Sequence, residues 1–112
     1  MNTGKAKPHR ATGSAAISSS LTPDTPIVLV SVRLHLSAAG GTAAENFTVT
    51  INSAAAAAYD TVIFSQDMNT VQDLLWLPEQ PIPIINGDVI DFAWANANGR
   101  TYGLEAIYRK EG

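Results

Sequence analysis

Cysteine is absent from the chain. Disulfides and thiolate metal ligands are therefore excluded, which fits an intracellular origin without establishing one. Histidine is nearly absent: only His9 and His35 occur. No His-x-x-x-His or His-Glu pairing is present, so a zinc site is not expected and no metal is assigned. Long apolar runs are missing too. None approaches the roughly 20 residues that a membrane-spanning helix needs, and the N-terminus lacks the continuous apolar stretch of a secretory signal. The expectation is a soluble protein that is not exported by that route and has no membrane partner.

Other absences narrow the chemistry. No Gly-x-Ser-x-Gly elbow appears, and serines stand in low-complexity stretches without a neighbouring base. No glycine-rich phosphate loop leads into a helix. Asp60, Asp67, Asp73, Asp88 and Asp91 are spread over strand ends. Two of them meeting at one rim could hold calcium or act as an acid/base pair, but nothing local has calcium-loop spacing. Asp88 is more simply a turn residue whose side chain bonds backbone. His35, beside Arg33 on a polar strand face, is a weak candidate for any role. The expectation is a protein that is not an enzyme, with no catalytic residues and no cofactor.

What is present is a body of alternating residues behind a polar leader. The chain has 112 residues, of which 46% are hydrophobic, enough for one domain with a real core. Many of these are alanines, and the large apolar residues cluster from Ile27 onward. The net charge of −3 is unevenly spread: Met1 to Pro23 carries Lys5, Lys7 and Arg10 and no acid (+3), and Asp24 to Gly112 carries four basic and ten acidic residues (−6). Residues 1–25, rich in Gly, Ala, Ser, Thr, Lys and Pro, read as an extended N-terminal arm. Alone, such a segment cannot bury enough surface to offset its ordering entropy. Ordered, it would need a partner, and Lys5, Lys7 and Arg10 are the candidate partner-binding residues. Thr22-Pro23-Asp24-Thr25-Pro26 marks the boundary, since proline restricts its own φ and its predecessor's.

Residues 26–112 read as strands. From Ile27 to Leu36, Val30, Val32, Leu34 and Leu36 alternate with Ser31, Arg33 and His35. In Asn46 to Asn52, Phe47, Val49 and Ile51 face in. Ala54 to Ala58 has high helix propensity but is too short for a helix, so a loop or single turn is expected. Tyr59 to Gln66 and Val71 to Leu77 are further strands. The apolar run of the latter suggests burial on both faces or cover from a neighbour. Pro78 to Pro83 can only be an edge segment or a crossover between sheets. Asn86-Gly87-Asp88 opens a strand with Ile90, Phe92 and Trp94 on one face. After a turn at Asn96-Ala97-Asn98-Gly99, Thr101 to Arg109 returns with Tyr102, Leu104, Ala106 and Tyr108 on one face, giving a central hairpin. The fold class is all-β: an antiparallel β-sandwich or jelly roll of about 6–8 strands behind the arm.

Phe92 and Trp94 read as core. Trp76, after two leucines, is the candidate surface aromatic. An exposed row of Trp76, Tyr59 and Tyr102 would favour a carbohydrate- or receptor-binding module, the alternative function. Nucleic acid is disfavoured as a partner, because the body has only Arg33, Arg100, Arg109 and Lys110 against ten acids.

Three segments, ENFTVTIN, AYDTVIFSQDMNTV and above all GDVIDFAWANANGRTYGLEAIYR, resemble small β-sandwich structural proteins of tailed bacteriophages. The basic arm is similar to the extended arms by which virion proteins clasp neighbours. The resemblance implies a non-enzymatic virion component: a capsid decoration protein, a head-fibre or tail subunit, or part of a receptor-binding assembly. It would be assembled in the host cytoplasm and held by other virion proteins and by copies of itself, in a homo-oligomer such as a trimer. It carries over no catalytic residues.

Overall fold

The structure, a computed structural model, describes residues 5–110 apart from Pro81 and Asn86. The start of the expected arm, Met1 to Gly4, and the first residue of the expected Asn86-Gly87-Asp88 turn lie outside the described residues. Among the described residues nine strands follow in chain order: β1 (Ala6–Gly13), β2 (Ile17–Leu21), β3 (Ile27–Leu36), β4 (Asn46–Asn52), β5 (Thr61–Asp67), β6 (Asp73–Trp76), β7 (Ile82–Ile84), β8 (Val89–Trp94) and β9 (Tyr102–Lys110). A single 3-10 turn, Ala57–Tyr59, occupies the alanine-rich stretch where a loop or one turn was expected.

Every pairing is antiparallel, and the strands form two sheets. The first has the order β1-β9-β3-β6, with β7 also pairing to β3. The second has the order β2-β8-β4-β5. They face each other as a β-sandwich. The long strand β3 pairs with β6 through Val32–His35 and with β7 through Ile27–Leu29, so β6 and β7 share one edge end to end.

The core follows from the period-two pattern. Val32, Leu34 and Leu36 on β3, Phe47 and Val49 on β4, Ile90, Phe92 and Trp94 on β8, and Leu104 and Ala106 on β9 are all buried. A ring the size of Phe92 stabilises by roughly 2–3 kcal/mol when removed from water. One irregularity shifts the pattern. The register of β3 against β9 slips between Leu29 and Ser31. Such a bulge resets which face a residue meets. Ile27 and Leu29 are consequently buried, and Val30, expected on the core face, is only half-buried.

Two expectations are corrected. Trp94 and Tyr102 do not join a hairpin: β8 belongs to the second sheet and β9 to the first. The connection 95–101 is long enough to cross the roughly 10 Å between packed sheets, and it is fastened on the way. Asn96 donates from Nδ2 to the carbonyls of Ala15 and Arg100, and Arg100 donates from Nε to that of Ala39. Asn96 (φ 52°) and Gly99 (φ 63°) take the left-handed conformation that the bends require.

The second correction concerns residues 1–25. Of its described residues, 6–13 form the outer strand of the first sheet and 17–21 the outer strand of the second. Ile17, Leu21 and Pro23 are buried. Residues 6–21 are therefore built into the sandwich and are not an extended arm. Edge strands need only a few inward apolar residues, which is why their composition read as structureless.

Candidate functional site: the outer face of the first sheet

β1, β9, β3 and β6 present their second faces to solvent as two cross-strand rows. Arg10, Glu105, Arg33 and Leu75 align in one row, and Thr12, Gly103, His35 and Asp73 in the next. These residues line an open groove of about 800 Å³. Glu105 is its hub. Its carboxylate accepts a bond from Arg10 Nε at 2.6 Å and pairs with Arg33 Nη2 through its other oxygen. The Arg10 bond first, and Arg33 after it, hold the Glu105 carboxyl below the ordinary range against an opposing desolvation. His35 Nδ1 is bonded to an Asp73 carboxylate oxygen, and both side chains are exposed.

Gly103 makes the floor of the groove. A Cβ built there meets nothing within 4 Å, so no packing inside the chain demands glycine. A strand-interior glycine costs about 0.5–1 kcal/mol relative to alanine, and it commonly marks a place where another molecule approaches the backbone. With the largely exposed guanidinium groups of Arg10 and Arg33 on either side of Glu105, the arrangement suits an extended ligand bearing a carboxylate. Gly103, Thr12 and Glu105 did not stand out in the sequence; the one readable signal was a glycine between the inward Tyr102 and Leu104.

Of the residues singled out by sequence, Arg10 joins this groove. Lys5 and Lys7 are exposed but do not line it; Lys7, within β1, lies opposite Tyr108 near Leu21 and Pro23. Trp76 is half-buried and stacks on Phe64 of β5, with ring centroids 4.7 Å apart and planes 22° apart. It thus bridges the two sheets at the β5/β6 side. Tyr102 is buried and Tyr59 is exposed, so these three rings form no common platform. His9 points between the sheets, 5.6 Å from the Phe92 ring in a stacked arrangement, and its Nε2 lies 2.8 Å from Ser19 Oγ. Burial lowers its pKa.

The aspartates do not converge. Asp60 accepts from Ser53 N–H, Asp67 from those of Ala44 and Asn69, and Asp88 from that of Ala54. The two backbone bonds, Ala44's first, lower the Asp67 pKa. Asp91 binds Ser20 Oγ and Asn52 Nδ2. Among the described residues no three His, Asp or Glu side chains gather where they could hold a metal ion, and no helix is long and apolar enough to cross a membrane. No protein-family model, curated protein or solved structure matches the chain.

Proposed function

We propose that this chain is a structural assembly protein of a tailed-phage virion, a decoration, head-fibre or tail subunit that joins neighbours through the side of its sandwich. The observation that carries the assembly reading is where apolar surface is left uncovered. The large hydrophobic side chains exposed among the described residues are Tyr59, Val62, Leu75, Leu77 and Ile85. All fall in or beside β5, β6 and β7, at one edge of the sandwich, with Leu75 on the outer face of the first sheet and Val62, opposite Thr50, on that of the second. Large apolar side chains left exposed along one edge mark an interaction site. The virion assignment rests on the resemblance of residues 45–52, 58–71 and 87–109 to phage β-sandwich proteins. That residues 6–21 are edge strands supports joining through the body of the sandwich.

The test is co-expression with the particle that carries the chain. Wild type is expected to be retained on purified particles. Leu75→Ser with Leu77→Ser, both on exposed positions, is expected to keep the melting temperature and to lower occupancy about tenfold, which corresponds to about 1.4 kcal/mol of contact free energy. Undiminished occupancy would reject this side as the joining surface.

The groove over Gly103 favours a second reading, a receptor- or carbohydrate-binding module. Lacking a ring platform, it would hold an acidic sugar through Arg10 and Arg33. Arg33→Ala is then expected to abolish binding in a glycan array; binding that survives would remove the groove from that reading.

A further inference from the structure

We propose that the partner of the apolar side is a second copy of this chain, docked head to tail, with the β1–β2 side of one molecule against the β5–β6–β7 side of the next. The proposal rests on the assembly reading and names its partner and geometry.

The two sides are opposite edges of one sandwich. β1 and β2 are the outer strands at one edge, held together by His9 and Ser19. β5 and β6 are the outer strands at the other, held together by the Phe64–Trp76 stack. Charge is sorted between these edges. Residues 5–21 contain Lys5, Lys7 and Arg10 and no acid, while residues 59–85 contain Asp60, Asp67, Asp73 and Glu79 and no Lys or Arg. Two like edges brought together would set cation against cation or carboxylate against carboxylate. Unlike edges bring opposite charges together and orient the encounter.

Shape and chemistry agree. At the β1–β2 edge the exposed side chains are small or flat: Ala6 and Pro8 on the outer face of the first sheet and Ser18 on that of the second. Leu75 of the neighbour, on its first sheet's outer face, can lie against Ala6 and Pro8, and Val62, on its second sheet's, against Ser18, without displacing a large group. The edges are also blunted against uncontrolled strand pairing. β1 carries Lys7 and Pro8, β6 has four residues, and β5 pairs with β4 through a register shift. Docking by side chains is therefore favoured over a continued backbone ladder. A head-to-tail contact is heterologous: it closes into a ring if the rotation returns on itself and otherwise propagates.

The experiment uses two charge-reversed full-length chains. One carries Lys5→Glu and Lys7→Glu; the other carries Asp73→Lys and Glu79→Lys, with Glu79→Lys alone as a milder version. All four positions are exposed, and melting curves check that each variant folds. Sedimentation velocity is read at low salt. Wild type is expected to self-associate, more weakly as salt rises. Each variant alone is expected to be monomeric, and the two mixed to regain association in alternation, since the unchanged edges still match and the two reversed edges match each other. Folded variants that associate as wild type does, or a mixture that stays monomeric, overturn the head-to-tail contact and leave the assembly reading standing. A wild-type chain that is retained on particles yet monomeric at about 1 mM overturns it too. A chain that neither self-associates nor enters particles removes the assembly reading itself.

Discussion

Gly40 and Gly103 differ in what an added methyl group would meet. At Gly40 it would stand 2.6 Å from the Met68 carbonyl oxygen, which also accepts the Gly40 N–H. At Gly103 it would meet nothing. Gly40→Ala is therefore expected to cost about 1–3 kcal/mol in urea unfolding, and Gly103→Ala to gain about 0.5–1 kcal/mol. A gain at Gly103 would mean that the bare floor of the groove has a reason outside the stability of the chain. His9 gives a residue-scale prediction in pH. Its folded pKa lies below the ordinary 6.5, so the unfolded chain takes up this proton first on acidification. The stabilisation from neutral His9 is complete above that value and is lost as pH falls from it through the folded pKa. Asp67 and Glu105 also have lowered values, starting from 3.8 and 4.5, so their loss falls in a more acidic window. His9→Gln should flatten the dependence of the urea midpoint on pH as it falls below 6.5. An unchanged slope would show that His9 does not set it.

Strands differed in how plainly they could be read. β3, β4, β8 and β9 bury one face and show it, because Leu34, Phe47, Phe92 and Leu104 recur with a period of two. Their partners could not be read the same way. Alternation says which face is buried but not which neighbour a strand takes, so the Trp94-to-Tyr102 connection passed for a hairpin turn. β1 and β2 were hidden for another reason: an outer strand contributes few core side chains, here Ile17 and Leu21, and its remaining residues resemble linker. The groove was legible only in fragments, since Arg10, Arg33 and Glu105 lie far apart in sequence and only the β1-β9-β3 order brings them together. Placing 6–21 in the sheets carries a prediction opposite to that of a free arm. Deleting residues 1–21 would bare the backbone edges of β8 and β9 and remove Ile17 and Leu21 from the core. The deletion is expected to lose its cooperative thermal transition in circular dichroism and to aggregate, because uncovered edges template pairing. A monomeric, cooperatively melting truncation would show that the outer strands are dispensable.

At the scale of the molecule, the first and last described strands are neighbours. β1 pairs with β9 from Ala6↔Arg109 to Gly13↔Tyr102, so this ladder cannot form until nearly the whole chain has been brought round. Sheets built from such distant pairings fold slowly, in milliseconds to seconds, because loop closure precedes the contacts that reward it. The same adjacency provides the test. A short Gly-Ser linker joining Lys110 to Ala6 turns β9 and β1 into a local hairpin, and new ends can be opened between Ala55 and Ala56, both exposed and outside any strand. The permutant is expected to keep the sandwich, with stability within about 1 kcal/mol of the parent, and to refold several-fold faster in stopped-flow tryptophan fluorescence, since Trp94 is buried only when the sheets meet. Equal refolding rates would mean that β1–β9 closure comes after the rate-limiting step, which would then lie in the pairing of β3, β4, β8 and β9. A permutant that fails to fold would show that the β4–β5 connection, and not the closure of the outer strand, holds the two sheets in register.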